Sequence, residues 1–207
     1  MSLRLSVTEL DAYRYYRENE DASLDDLLAQ LRRETPPTRA MQAGSAWHKV
    51  LEQCAWSEAD AAACDGFTFR IVGDLELCLP EVRELKGEME LDTPCGPVTL
   101  VGVVDGLDER GIHDYKLTSR FDAERYTEAW QWRCYLRMFG AERFVYDVFT
   151  AREDERAGEW VITAYDQLPF YAYPNLRADV ERAVSDFAAF IAAYLPERQQ
   201  PALAGAH

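Results

Sequence analysis

An α/β fold, a central mixed β-sheet flanked by helices, is what this sequence predicts, and three observations predict it. Both ends carry helical patterning, and the middle breaks into short β-rich runs punctuated by Gly, Pro and Asp. A helical stretch then follows the strongest hairpin signal in the chain. At 207 residues the chain is long enough for one domain with a proper core. A single unit over residues 1–207 is therefore expected, with a helical part over 1–65, a core over 66–150 and a closing hairpin and helix over 143–195.

Taken in order, Ser6 or Thr8 is placed to cap a first helix carrying Leu10, Tyr13 and Tyr16. A second helix covers residues 23–33 and is stopped by Pro36 and Pro37. A third runs over residues 39–63, with Trp47, Leu51 and Trp56 toward the core and His48 one turn from Glu52. Strands are expected over 67–72, 75–79 and 82–91, and in the last of these Glu88 and Glu90 share a face. The β-branched run over 98–104 leads into a polar turn and a short second strand ending at Lys116. Residues 122–139 fit one helix ended by Gly140, with Gln131 and Tyr135 at i and i+4 and Trp130, Leu136 and Phe139 buried. A second hairpin pairs 144–150 with 159–165 around a charged loop, an amphipathic helix covers 175–195, and 199–207 form a loose tail.

Composition excludes several classes. No apolar run approaches a membrane span and the start lacks a signal-peptide core, so a cytoplasmic protein is expected. Cys54, Cys64, Cys78, Cys95 and Cys134 are odd in number and show no Cys-x-x-Cys pair, which argues against a disulfide framework or zinc ribbon and for reduced core thiols. The net charge of −15 opposes tight non-specific binding to nucleic acid. Yet residues 110–143 hold seven basic against five acidic side chains, and the excess acidity falls in solvated stretches such as 18–26 and 152–159.

The chemistry concentrates on the hairpin. Strand alternation points Asp114 and Lys116 one way and Tyr115 the other. If Asp105 faces the same side, two hard oxygen ligands for magnesium or manganese stand beside an ammonium. Asp105 and Asp108 also suit a plain turn. Asp114 sits where a strand disfavours Asp, which favours a site role, and Lys116 gains interest only through Asp114. His48 alone would be an ordinary histidine on an amphipathic helix.

Three segments carry a family resemblance. Gly102-Val103-Val104-Asp105 with Asp114-Tyr115-Lys116 resembles the PD-(D/E)XK nuclease core, which has a restriction-endonuclease-like fold. Gly44 to Glu52 resembles the Gly-x-x-x-His-x-x-Leu-Glu helix of its RecB-type exonuclease branch, and Gln131 to Tyr135 its Gln-x-x-x-Tyr motif. Three motifs in the right order are specific where a lone Asp-x-Lys is not. The resemblance implies a metal-dependent DNA exonuclease, similar to viral exonucleases and CRISPR-associated adaptation nucleases, acting in recombination, repair or CRISPR-type processing with DNA and a protein partner from such a pathway. It implies metal binding by His48, Asp105, Asp114 and the backbone carbonyl of Tyr115, with Lys116 acting on the attacking water. Gln131 and Tyr135 would orient DNA or support Lys116, and Glu88 and Glu52 stand as auxiliary carboxylates, although Glu88 reads more often as the wet side of a strand. Members with an iron-sulfur cluster place a cysteine after the Ser6-x-Thr8-x-Leu10 opening and three near the C-terminus; this chain has Tyr15 and Tyr16 there and no cysteine beyond Cys134, so no cluster is expected. Two other readings remain: a restriction or repair endonuclease on the same core, and a non-catalytic acidic interaction protein.

Overall fold

The computed structural model describes residues 2–53, 61–73, 80 and 82–199. A short strand that the sequence pattern did not announce, β1 (Leu3–Ser6), leads straight into α1 (Val7–Glu18). Ser6 makes the change of direction: its hydroxyl accepts the Glu9 N–H at 3.2 Å, and the Glu9 carboxylate accepts the Ser6 N–H at 2.9 Å. This capping box satisfies two backbone donors that the helix cannot. Ser23 caps α2 (Leu24–Leu31). Next, α3 (Arg39–Gln53) buries Ala43, Ala46, Trp47, Val50 and Leu51 along one stripe.

Helix α3 was expected to reach residue 63, and it does not. Residues 61–64 form β2 (Ala61–Cys64), antiparallel to β3 (Phe67–Ile71). Asp65 and Gly66 connect them with φ of 50° and 80°, the two positive values that an Asp-Gly hairpin turn requires. Alanine's helix preference is a weak prior, overridden here by strand pairing and the burial of Ala62. Cys54 and Trp56, the strand expected over 75–79 with Cys78, and the tail over 200–207 lie outside the described residues.

The centre follows the hairpin reading with longer strands: β4 (Val82–Thr93), β5 (Gly96–Asp108) and β6 (Gly111–Thr118). Asp105 therefore lies inside β5, while Asp108 takes the turn role, its carboxylate accepting the Arg110 N–H at 2.7 Å. The helix expected over 122–139 is two, α4 (Ala123–Glu128) and α5 (Trp130–Phe139), broken where Ala129 turns extended at ψ 141°. Leu136 is buried, whereas Trp130 and Phe139 are only partly so. Gly140 ends α5 in the left-handed region. The long hairpin β7 (Arg143–Asp154) and β8 (Glu159–Tyr171) and helix α6 (Leu176–Tyr194) close the chain. Cys134 is buried as expected, but Cys95 is exposed in the β4–β5 turn.

Among the described residues eight strands make one mixed sheet in the order β1-β5-β6-β7-β8-β3-β2, with β4 also on β5. One face packs against α1, α2, α5 and α6 through residues such as Leu10, Val104, Ile112, Tyr146 and Phe187. The other packs against α3 through Trp47, Phe69, Tyr115 and Phe149. Strand β5 pairs with β4 along almost its whole length, but its opposite edge is shared. Strand β1 takes Val98 to Val101 and β6 takes only Gly106 to Asp108. Beyond Gly106 strand β6 leaves β5 for a parallel ladder with β7, and the stretch from Gly102 to Asp105 is left without a partner from either.

Candidate active site

The candidate residues collect where β5 and β6 part. Asp105 fills the opening with its carboxylate, which accepts the Tyr115 N–H at 2.6 Å in place of a missing ladder bond. Its other oxygen faces the His48 ring at 3.3 Å, delivered from α3. His48 stands edge-on to Tyr115, which anchors that side of β6 among the α3 aromatics.

Asp114 and Lys116 face the opposite side of β6, as alternation predicts. Their side chains form an ion pair, Lys116 also lies 5.6 Å from the centre of the Tyr146 ring, and the Gln131 amide of α5 donates to the other Asp114 oxygen. Tyr146 donates in turn to the Gln131 carbonyl at 3.5 Å. Tyr135, one turn further along α5, donates to the Val103 carbonyl at 2.8 Å and lays its ring against Gly102 so closely that a Cβ there would fall 2.3 Å from Cε1. The glycine of the Gly-x-x-Asp segment is thus a packing requirement of the tyrosine of the other motif.

Charge is unevenly resolved at this point. Burial is the largest influence on Asp114 and, with the nearby Asp105 carboxylate, raises its carboxyl to about 6 despite the adjacent Lys116. Burial also opposes ionisation of Asp105, but the His48 hydrogen bond and charge outweigh it and hold Asp105 below its usual value. His48 and Lys116 are both pulled down by burial and both end raised, because the carboxylates facing them outweigh it. Lys116 therefore keeps its proton, and it retains 29% of its side-chain exposure.

Among the described residues no three His, Cys, Asp or Glu side chains stand, as placed, around a point that would hold an ion. The donor chemistry nevertheless fits a hard divalent cation. Asp105 and Asp114 repel one another, and Asp114 Oδ2 is buried against the Lys116 ammonium. A cation between the carboxylates, with the His48 imidazole beside Asp105, would relieve that repulsion.

The remaining candidates separate from this group. Glu88 pairs with Arg4 at 2.7 Å and with Lys86 at 3.0 Å on an exposed strand face, and Glu90 accepts from Thr99 at 2.6 Å. Glu52 meets Arg83 through its backbone carbonyl at the end of α3. Two residues that the motifs did not flag do reach the group. Tyr146 reads only as one of the alternating apolar positions of β7, and Asp11 only as a polar position of α1. A cleft of about 810 Å³ opens on Lys116, Gln131 and Tyr146, walled by Asp11, Arg14 and Tyr15 of α1 and by Arg125 and Glu128 of α4.

Two acids and a lysine on parting strands of a mixed sheet, covered by helices on both faces, define a nuclease core. The chain belongs to the PD-(D/E)XK nuclease superfamily, whose family model matches residues 10–200. Among solved structures the fold is similar to that of SSO0001, at a TM-score of 0.51 and 16% identity, over 92% of this chain and 77% of that one. A weaker likeness is to LHK-Exo in complex with dAMP, at a TM-score of 0.41 and 14% identity, over 94% of this chain and 89% of that one. No match to the chain is found among curated proteins.

Proposed function

We propose that the protein, acting as a single nuclease unit, is a divalent-metal-dependent exonuclease that hydrolyses phosphodiester bonds at DNA ends. The observation that carries this reading is the convergence of His48, Asp105, Asp114 and Lys116 on the opening between β5 and β6, with Gln131 bound to Asp114. His48, Asp105, Asp114 and the Tyr115 carbonyl would hold magnesium or manganese. Such an ion, when bound, supplies the charge that polarises phosphate and makes its water acidic.

The chain's own groups do the rest. Lys116, held protonated by its carboxylates, serves as a cation that orients water and offsets charge on the phosphate. Gln131 fixes the direction of Asp114, and Tyr135 fixes the β5 backbone that leads into Asp105. The cleft beside Lys116 admits the strand, with Arg14 and Arg125 on its walls. The RecB-type pattern of His48, Gln131 and Tyr135 is what favours ends over internal sites. A role in recombination, repair or CRISPR-type processing, with a protein partner from one of these, extends the same resemblance.

End-labelled linear DNA and closed circular DNA, each with magnesium, manganese or chelator, test the reading. Metal-dependent loss of the linear substrate alone is expected. Equal attack on the circle overturns the exonuclease, and no cleavage with either metal overturns the enzyme. Lys116→Ala should cut about 10²–10³-fold more slowly while calorimetry still detects manganese binding.

A further inference from the structure

We propose that Asp11 is a positioning residue of the nuclease site, holding Gln131 and through it Asp114. This rests on the reading of Asp114 as a metal-binding carboxylate. Helix α5 begins at a break where Ala129 has no side chain able to cap it. Asp11, from α1, supplies the cap across the sequence. Its two oxygens accept the N–H groups of Trp130 at 2.6 Å and Gln131 at 3.1 Å. The residue whose backbone is held in this way is the one whose side chain donates to Asp114. A continuous path therefore runs from the Asp11 carboxylate through the Gln131 backbone and amide to Asp114 and Lys116.

The cap is placed for direction as well as for stability. A capping side chain at position 129 itself would have satisfied an N–H of the first turn without tying α5 to α1. Asp11 instead fixes the first turn of α5 against the wall of the cleft that opens on Lys116. Its carboxyl is raised by burial, opposed by those two N–H bonds and by Arg14, whose Nε lies 3.7 Å away. A carboxylate kept in such a place to orient the partner of a metal-binding group is the usual arrangement of an outer-shell residue, and loss of one typically costs about 10–100-fold in metal affinity or activity.

The test is a double-mutant cycle of Asp11→Ala with Gln131→Ala, read twice: by manganese affinity in calorimetry, and by kcat and KM on linear DNA. Expected for Asp11→Ala are a manganese affinity and a kcat each lower by about tenfold or more, with KM little changed. The double variant should match Gln131→Ala alone, since both act on one carboxylate. Additive losses, or parent-like affinity in Asp11→Ala, overturn the proposal, because a cap that only stabilises α5 would not converge with Gln131. Should Asp11→Ala not fold, Asp11→Asn keeps a neutral acceptor and carries the same cycle, with a smaller loss. The calorimetric cycle separates the two ideas: if the parent binds manganese but cleaves nothing, the nuclease reading falls while the coupling through Gln131 stands or falls on its own measurement.

Discussion

The two faces of β6 carry polar networks of opposite character. On the α3 side, His113 and Asp147 are 3% and 1% exposed and meet at 2.7 Å; the other Asp147 oxygen accepts from Tyr165 at 2.6 Å and Gln167 at 2.8 Å. Nε2 of His113 faces Asp108 at 3.4 Å. On the α5 side, Asp114 is bound by the Gln131 amide and the Lys116 ammonium, its carboxyl is nevertheless raised to about 6, and that ammonium faces a cleft. Neighbouring residues of one strand thus serve different ends. A buried network whose carboxylate is fully bonded holds β6, β7 and β8 together, whereas unresolved charge at an opening is what a ligand would resolve.

The largest effect expected from this contrast is on the closed side. Asp147→Ala strips partners from His113, Tyr165 and Gln167 at once, and removing one member of a buried pair typically costs about 3–5 kcal/mol. Urea unfolding measures it. A loss below about 1 kcal/mol would mean that the network is ornamental and the contrast false.

On the open side the effect runs the other way. In chelator, the native Asp114 carboxyl binds its proton more tightly than the ordinary value of 3.8 allows in the unfolded chain. Its contribution is therefore complete below about pH 4 and is lost as pH rises through about 6, on the order of 3 kcal/mol in all. His48 and His113, both raised, shift stability in the same direction, so the informative quantity is parent minus variant. Asp114→Asn keeps the oxygen that Gln131 uses and cannot ionise. It should melt above the parent at pH 7.5 and lose most of that advantage at pH 4.5. Identical pH slopes for the two proteins would remove the claim of unresolved charge.

How far the sequence foretold this depends on what kind of signal each part left. Asp105, Asp114, Lys116, His48, Gln131 and Tyr135 were singled out because each sits at a fixed spacing in a motif-like segment, and alternation on β6 alone separates Lys116 from Tyr115. Asp11 leaves no such signal, since what it caps is more than a hundred residues away. The Asp147 cluster is silent for the same reason: Asp147, Tyr165 and Gln167 become neighbours only through the β7–β8 register. In the fold, hydrophobic period found the amphipathic helices, and it failed where composition misled. Ala61 to Ala63 extended a helix on propensity although Asp65-Gly66 announced a hairpin, and the break at Ala129 needs a cap from another helix. Strand β1 was missed because its apolar residues, Leu3 and Leu5, were too few to show a period beside the stronger capping signal at Ser6.

The smallest effect expected concerns two glycines that resemble family positions for different physical reasons. Gly102 lies under Tyr135, whose ring is buried and whose hydroxyl is bound to Val103, so the ring cannot swing away from a new Cβ 2.3 Å off without losing that bond. Gly102→Ala should cost about 1–3 kcal/mol by overpacking and should lower cleavage by shifting β5 just ahead of Asp105. Gly44, one turn before His48 on α3, meets nothing within 4 Å, and there alanine should stabilise the helix by about 0.5–1 kcal/mol. The pair divides packing from chemistry. If Gly44→Ala is more stable yet cuts DNA poorly, the open space beside His48 is occupied by substrate, and the α3 side takes part in binding as well as in support. If it is more stable and cuts normally, the substrate approaches from the cleft on the α5 side, where Lys116 already faces.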